Sequence, residues 1–161
     1  RGATPIENQI LNDEKEMGVT IMLMDEELDH GAVIAQKSVP SLLSALKLRV
    51  LLAEEGGKLL AQVMPVWIAG NIEAKPQDHT KATYTKKFTT ADGEISLSDD
   101  AYGNFLKIQA LEGSIGTYFR KGGKRVLVKS ASLQNGDLKI LRVLPEGKKE
   151  MSYGEFLRGL K

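Results

Sequence analysis

The stretch GVTIMLMDEELDHG, residues 18–31, decides how the first half of the chain is read. Its β-branched and long apolar residues at 19–24 have the length and composition of a buried strand, and the run of acids from Asp25 ends it. Gly31 closes the acidic turn, and residues 32–39 then read as a second strand that stops at Pro40. Before this pair, Thr4-Pro5 opens a short helix, with Thr4 placed to cap free amides and Pro5 where its missing N–H costs nothing. After it, Leu42, Leu43, Leu46, Val50 and Leu51 recur at helical spacing from Ser41. Gly56-Gly57 interrupts, and Leu59, Leu60, Val63, Val66 and Trp67 resume the pattern until Gly70. The pattern predicts either one helix with a break or two in tandem.

Residues 71–88, NIEAKPQDHTKATYTKKF, are polar, carry one proline and hold no period, so they read as a linker. Beyond them lie a turn at Ala91-Asp92-Gly93, a helix at about 98–110, and strands near 115–120, 124–131 and 137–143. A last short helix spans 151–157. Ten of the sixteen glycines follow residue 92, and Asn135-Gly136 is a strong hairpin signal, so this half reads as a small barrel or sandwich. There is no internal repeat.

Of 161 residues, 42% are apolar and 27% charged, which suits folded domains rather than disorder, and no apolar run is long enough for a spanning helix. The absence of cysteine excludes disulfides, thiolate metal sites and a cysteine nucleophile, and two histidines are too few for a histidine-built metal site, so no metal is expected. The first residue is Arg1 and no leader precedes the first helix, so the chain reads as cut. The net charge of +1 hides an asymmetry. Residues 1–70 carry six Lys/Arg against ten Asp/Glu, and residues 71–161 carry sixteen against eleven. Within 117–149 nine basic residues face two acidic ones, which predicts a polyanionic partner for that half.

Taken from the residues alone, Asp29 has two readings. Past a strand end and fixed by a turn, its carboxylate is placed to orient an imidazole or move a proton; equally, an aspartate there stabilises its own turn. Glu26 and Glu27 read as solvated loop charges. His30 and His79 carry little acid/base signal, since neighbouring side chains on an extended chain point apart. Tyr118, Phe119 and Tyr153 read as core rather than as base-stacking platforms. Lys121, Lys124, Arg125, Lys148 and Lys149, with Lys129, form the candidate phosphate-binding face; a solvated basic surface is the alternative.

Three blocks, RGATPIENQILNDEKEMGVTIMLMDEELDHGAVIAQ, KATYTKKFTTADGEISLS and LPEGKKEMSYGEFLRG, occur in an order and spacing that resembles methionyl-tRNA formyltransferase nearly end to end. The first block is shared more loosely by enzymes that take formyl from 10-formyltetrahydrofolate; the other two are particular to the tRNA enzyme. The resemblance implies an α+β chain: a strand pair and long helix left from a Rossmann-like catalytic domain (1–70), a linker (71–88), and an OB-like β-barrel that holds tRNA (89–161). The family's catalytic set is an Asn-x-His pair and an aspartate in an LDxG turn. Asp29 in Leu28-Asp29-His30-Gly31 matches the aspartate, and the pair is absent from this chain.

The resemblance further implies that the loop of Glu26, Glu27, Leu28 and Asp29 lines the pteridine pocket for the 10-formyltetrahydrofolate donor. By charge, Arg1, Lys121, Lys124, Arg125, Lys148 and Lys149 are assigned to phosphates of initiator methionyl-tRNA. The protein is expected to be a bacterial, cytoplasmic monomer of translation initiation, without a membrane or metal, and this chain alone to be an inactive fragment. Two departures from the family stand out. Residues 112–116, EGSIG, replace a Pro-Trp-Pro-Gly-like segment, and the barrel is trimmed between Ala131 and Leu138. A sugar-nucleotide formyltransferase, a non-catalytic RNA-binding module, and a folate hydrolase or purine-pathway formyltransferase are the alternatives.

Overall fold

A computed structural model of the chain describes residues 1–40 and 44–160. They fall into two compact units, Arg1–Lys87 and Phe88–Lys161.

In the first unit, α1 (Pro5–Leu11) leads into β1 (Glu16–Met22) and β2 (Val33–Pro40), followed by α2 (Ala45–Ile68). The strands pair antiparallel from Glu16↔Pro40 to Met22↔Val33, with an irregularity at Ile21/Met22. Alternation buries Met17 and Val39, and α2 lays Ala45, Leu48, Leu52 and Leu59 along one helical stripe. α2 packs on both strands. Ser41, Leu42 and Leu43, the predicted start of this helix, lie outside the described residues.

Gly56-Gly57 does not break α2, which runs unbroken to Ile68. Two mid-helix glycines cost about 1 kcal/mol each against alanine, and packing on the hairpin offsets it: a Cβ at Gly56 would lie 3.7 Å from Val19 Cγ1, in ordinary contact. α1 is held by Ile10 and by Glu7, a buried carboxylate paired with Arg49 of α2. Thr4 differs from expectation. Its side chain makes no cap bond; its hydroxyl donates to Lys86 O at 2.7 Å and accepts from Asn8 Nδ2 at 2.9 Å.

The second unit consists of α3 (Ala101–Leu111), β3 (Thr117–Lys121), β4 (Lys124–Gln134), β5 (Asp137–Pro145), β6 (Met151–Ser152) and α4 (Tyr153–Arg158). The strands form one antiparallel meander in the order β3-β4-β5-β6. Both tight turns use residues at positive φ, Gly122-Gly123 and Asn135-Gly136, as two-residue hairpins with strand-matched twist require. The core is Ile95, Ile108, Phe119, Val126, Val128, Val143 and Phe156.

The expected OB-like barrel is not closed. Among the described residues the sheet has four strands, the last of only two residues, too few and too short to meet the far edge. Helices cover the sheet instead: α3 packs on β3, β4 and β5, and α4 on β5 and β6. A capping box at Ser152 and Glu155 starts α4, with the Ser152 N–H donating to Glu155 Oε2 at 2.8 Å.

Candidate active site and basic surface

The acidic turn is pinned at several points. Leu23 N donates to Ala32 O at 2.9 Å, closing the mouth of the turn. Gly31 passes so close to the Leu23 carbonyl that a Cβ there would sit 1.9 Å from its oxygen, so no other residue fits. Asp29 takes a left-handed backbone, φ 52°, which costs a non-glycine residue about 1–2 kcal/mol and is tolerated best by Asp and Asn. Its exposed carboxylate accepts a long bond, 3.4 Å, from Gly2 N.

His30 bonds to Asp25, not to Asp29: Nδ1 lies 2.7 Å from Asp25 Oδ2, and Asp25 Oδ1 accepts Glu27 N–H at 3.0 Å. The His30 bond, then the Glu27 amide, hold the Asp25 carboxyl below the usual aspartate range. The other face of His30 stacks on His79, ring centroids 3.7 Å apart. Sequence reasoning missed this arrangement because the two histidines are far apart in the chain and no local pattern links them.

Residues 71–87 belong to the first unit and line the back of this turn. Lys75 and Val33 exchange two backbone bonds of 2.8 Å, and Thr85 N donates to Arg1 O at 2.8 Å. Between these stitches, Gln77 Nε2 donates to Gly31 O at 2.7 Å and to Asp29 O at 3.0 Å, while Gln77 Oε1 accepts from Arg1 Nη2 at 3.1 Å. Arg1 Nη2 also lies 3.0 Å from His79 Nδ1. Arg1, assigned to phosphate by its charge, thus has its guanidinium engaged within the first unit.

Glu26, Glu27 and Leu28 are exposed beside Asp29, with Met24 95% exposed. The loop thus presents both carboxylate acceptors and apolar atoms at the surface. No group of three or more metal-ligating side chains occurs among the described residues.

In the second unit, Lys121 and Lys124 face each other across the β3–β4 hairpin, and Arg120 pairs with Arg125. Arg125 lies over the Tyr118 ring, 4.9 Å from its centroid, and Glu94 accepts from both the Tyr118 hydroxyl (2.9 Å) and Arg120 Nε (3.0 Å). These bonds hold the Glu94 carboxyl below its usual range, the tyrosine bond first. A cleft of about 740 Å³ opens here, lined by Tyr118, Arg125, Leu127, Pro145 and Lys148. Among the described residues Lys121, Lys124, Arg125, Lys148 and Lys149 have no ion-pair partner, whereas Arg120 and Arg142 are paired with Glu94 and Glu150.

Residues 1–64 match the formyl transferase family model. Similarity extends further: the chain is 35% identical to the methionyl-tRNA formyltransferase of Dictyoglomus thermophilum, over 99% of this chain and 60% of that protein. The chain thus spans about 60% of the length of that curated relative. Among solved structures, HypX from Aquifex aeolicus in complex with tetrahydrofolic acid superposes with a TM-score of 0.76 at 18% identity, covering 98% of this chain and 32% of that one. Methionyl-tRNA formyltransferase from Clostridium thermocellum gives 0.70 at 20% identity, over 90% and 63% of the two chains. WlaRD, a sugar 3N-formyl transferase, gives 0.67 at 16% identity, over 92% and 62%. At such identities these structures share the fold.

Proposed function

We propose that the protein carrying this chain transfers a formyl group from 10-formyltetrahydrofolate to the amino group of initiator methionyl-tRNA, acting as a cytoplasmic monomer. The observation that carries the reading is Asp29, on a turn fixed at Leu23, Gly31 and Gln77, in a chain similar to a methionyl-tRNA formyltransferase along 99% of its length. In this reaction the amine attacks the formyl carbon, and negative charge develops on the formyl oxygen. Asp29 is the carboxylate that orients the family's histidine and takes part in proton movement as the amine loses its proton. The chain contains no Asn-x-His sequence, so those two groups come from outside it, and the 161 residues alone are inactive. Leu46, Val50, Leu60 and Met64 leave an exposed apolar stripe on α2, which supports a further layer of protein there.

In this reading residues 1–70 contribute to catalysis, 71–88 connect them to the part that holds tRNA, 89–161, and residues 71–87 of that connection pack within the first unit. Glu26, Glu27, Leu28 and Asp29 receive the folate donor. Lys121, Lys124, Arg125, Lys148 and Lys149 meet tRNA phosphates, with Arg1 contributing at the first unit. The likeness to WlaRD favours one second reading, formyl transfer to an amino sugar nucleotide; the unpaired cations of the second unit support tRNA. The test joins this chain to the part of the D. thermophilum relative outside the matched region. The chimera is assayed with 10-formyltetrahydrofolate and either charged initiator tRNA or an amino sugar nucleotide. Transfer to tRNA that Asp29→Asn abolishes supports the proposal; transfer to the sugar alone, or none, overturns it.

A further inference from the structure

We infer that Gln77 is the positioning residue of Asp29: one side-chain amide of the segment 71–87 fixes the backbone on both sides of His30 and thereby aims the Asp29 carboxylate. The inference rests on the reading of Asp29 as the catalytic carboxylate. An amide nitrogen has two protons, and Gln77 spends one on Gly31 O (2.7 Å) and one on Asp29 O (3.0 Å). Its orientation is not free to flip, because Oε1 accepts from the Arg1 guanidinium, which has no acceptor of its own. The captured carbonyls belong to the Asp29–His30 and Gly31–Ala32 peptide groups, so the amide restrains the peptide that follows the residue whose φ of 52° is least favourable. The lower stitch, Lys75 with Val33, and the upper one, Thr85 with Arg1, hold the Gln77 backbone in turn. Among the described residues no backbone hydrogen bond engages either captured carbonyl.

Two variants separate positioning from folding. Gln77→Glu keeps length but sets an acceptor against two carbonyls; Gln77→Leu keeps bulk and loses every bond. In the isotope-labelled 161-residue chain, NMR is expected to show shifted backbone amide signals at Asp29, His30 and Gly31 in both variants. Signals of the buried Met17, Val39 and Leu48 should stay in place. Superimposable amide signals at Asp29, His30 and Gly31 overturn the inference. In the chimera, Gln77→Leu is expected to lower kcat roughly tenfold or more, as small misplacements do, with KM for the folate donor within about twofold. Added to Asp29→Asn it should cost nothing further; independent, multiplying losses overturn the inference. If the unmutated chimera transfers no formyl group, the functional reading fails by itself, and the NMR comparison still decides whether Gln77 sets Asp29.

Discussion

The imidazoles of His30 and His79 stack 6° from parallel with centroids 3.7 Å apart, joining the acidic turn to the segment behind it. Their outer partners differ in kind. His30 Nδ1 faces a carboxylate and must donate, whereas His79 Nδ1 faces the Arg1 guanidinium and must accept. Opposite tautomers are therefore expected, Nδ1–H at His30 and Nε2–H at His79. Nitrogen-15 NMR of the imidazoles checks this, and the same tautomer on both rings contradicts it.

Glu55 predicts a pH dependence in the first unit. Lys37 and then Lys58 donate to its carboxylate and hold it down to about 2. A carboxyl depressed on folding adds stability above the ordinary glutamate range of about 4.3 and loses it as pH falls toward its folded value. Melting temperature should drop more between pH 5 and pH 2 in the native chain than in Glu55→Gln. Parallel curves count against the assignment.

Gly31→Ala forces a methyl group against the Leu23 carbonyl, where no flexible side chain can give way. The turn has to open, so formyl transfer by the chimera should fall with Asp29→Asn, while circular dichroism of the helices stays near native. Full activity in Gly31→Ala would show that turn geometry is irrelevant to the chemistry.

Leu48 is fully buried between α2 and the hairpin. Leu48→Ala should destabilise the first unit by about 2–5 kcal/mol, the range for a buried leucine truncated in a rigid core. Denaturant unfolding followed by Trp67 fluorescence measures it.

Charge reversal at the unpaired cations should weaken tRNA binding and flatten its salt dependence. Each lost phosphate contact on a duplex lowers the log–log slope by about 0.9. Lys121→Glu and Lys148→Glu are expected to do this, whereas Lys139→Glu, which removes a side chain paired with Asp137, should do it less. Equal slopes for all three would make the surface a solvated one.

Much of the architecture was readable from pattern. The hairpin, the acidic turn, the long helix and the last three long strands follow from runs of apolar residues and from glycine turns, because local sequence sets local structure. Helix continuity across Gly56-Gly57 was not readable, since it depends on Val19 lying beneath. Nor was the open sheet, because closure depends on the length of β6 and on helices filling the space. In the site, Asp29 could be picked out by resemblance, but the partners of its turn could not. Gln77 bonds to Gly31 across 46 positions of sequence, a pairing that no local period encodes.

The open meander also has a cost. β3 forms one border of the sheet; Ile95 N donates to Tyr118 O there, and beyond that contact an open border invites a neighbouring chain to add a strand. Arg120 and Lys121 lie on that border, one of them among the cations proposed to meet phosphate. The same positive charges therefore guard against self-association when RNA is absent. Variants that strip them to abolish tRNA binding should consequently be watched for aggregation, which would otherwise pass for a loss of affinity.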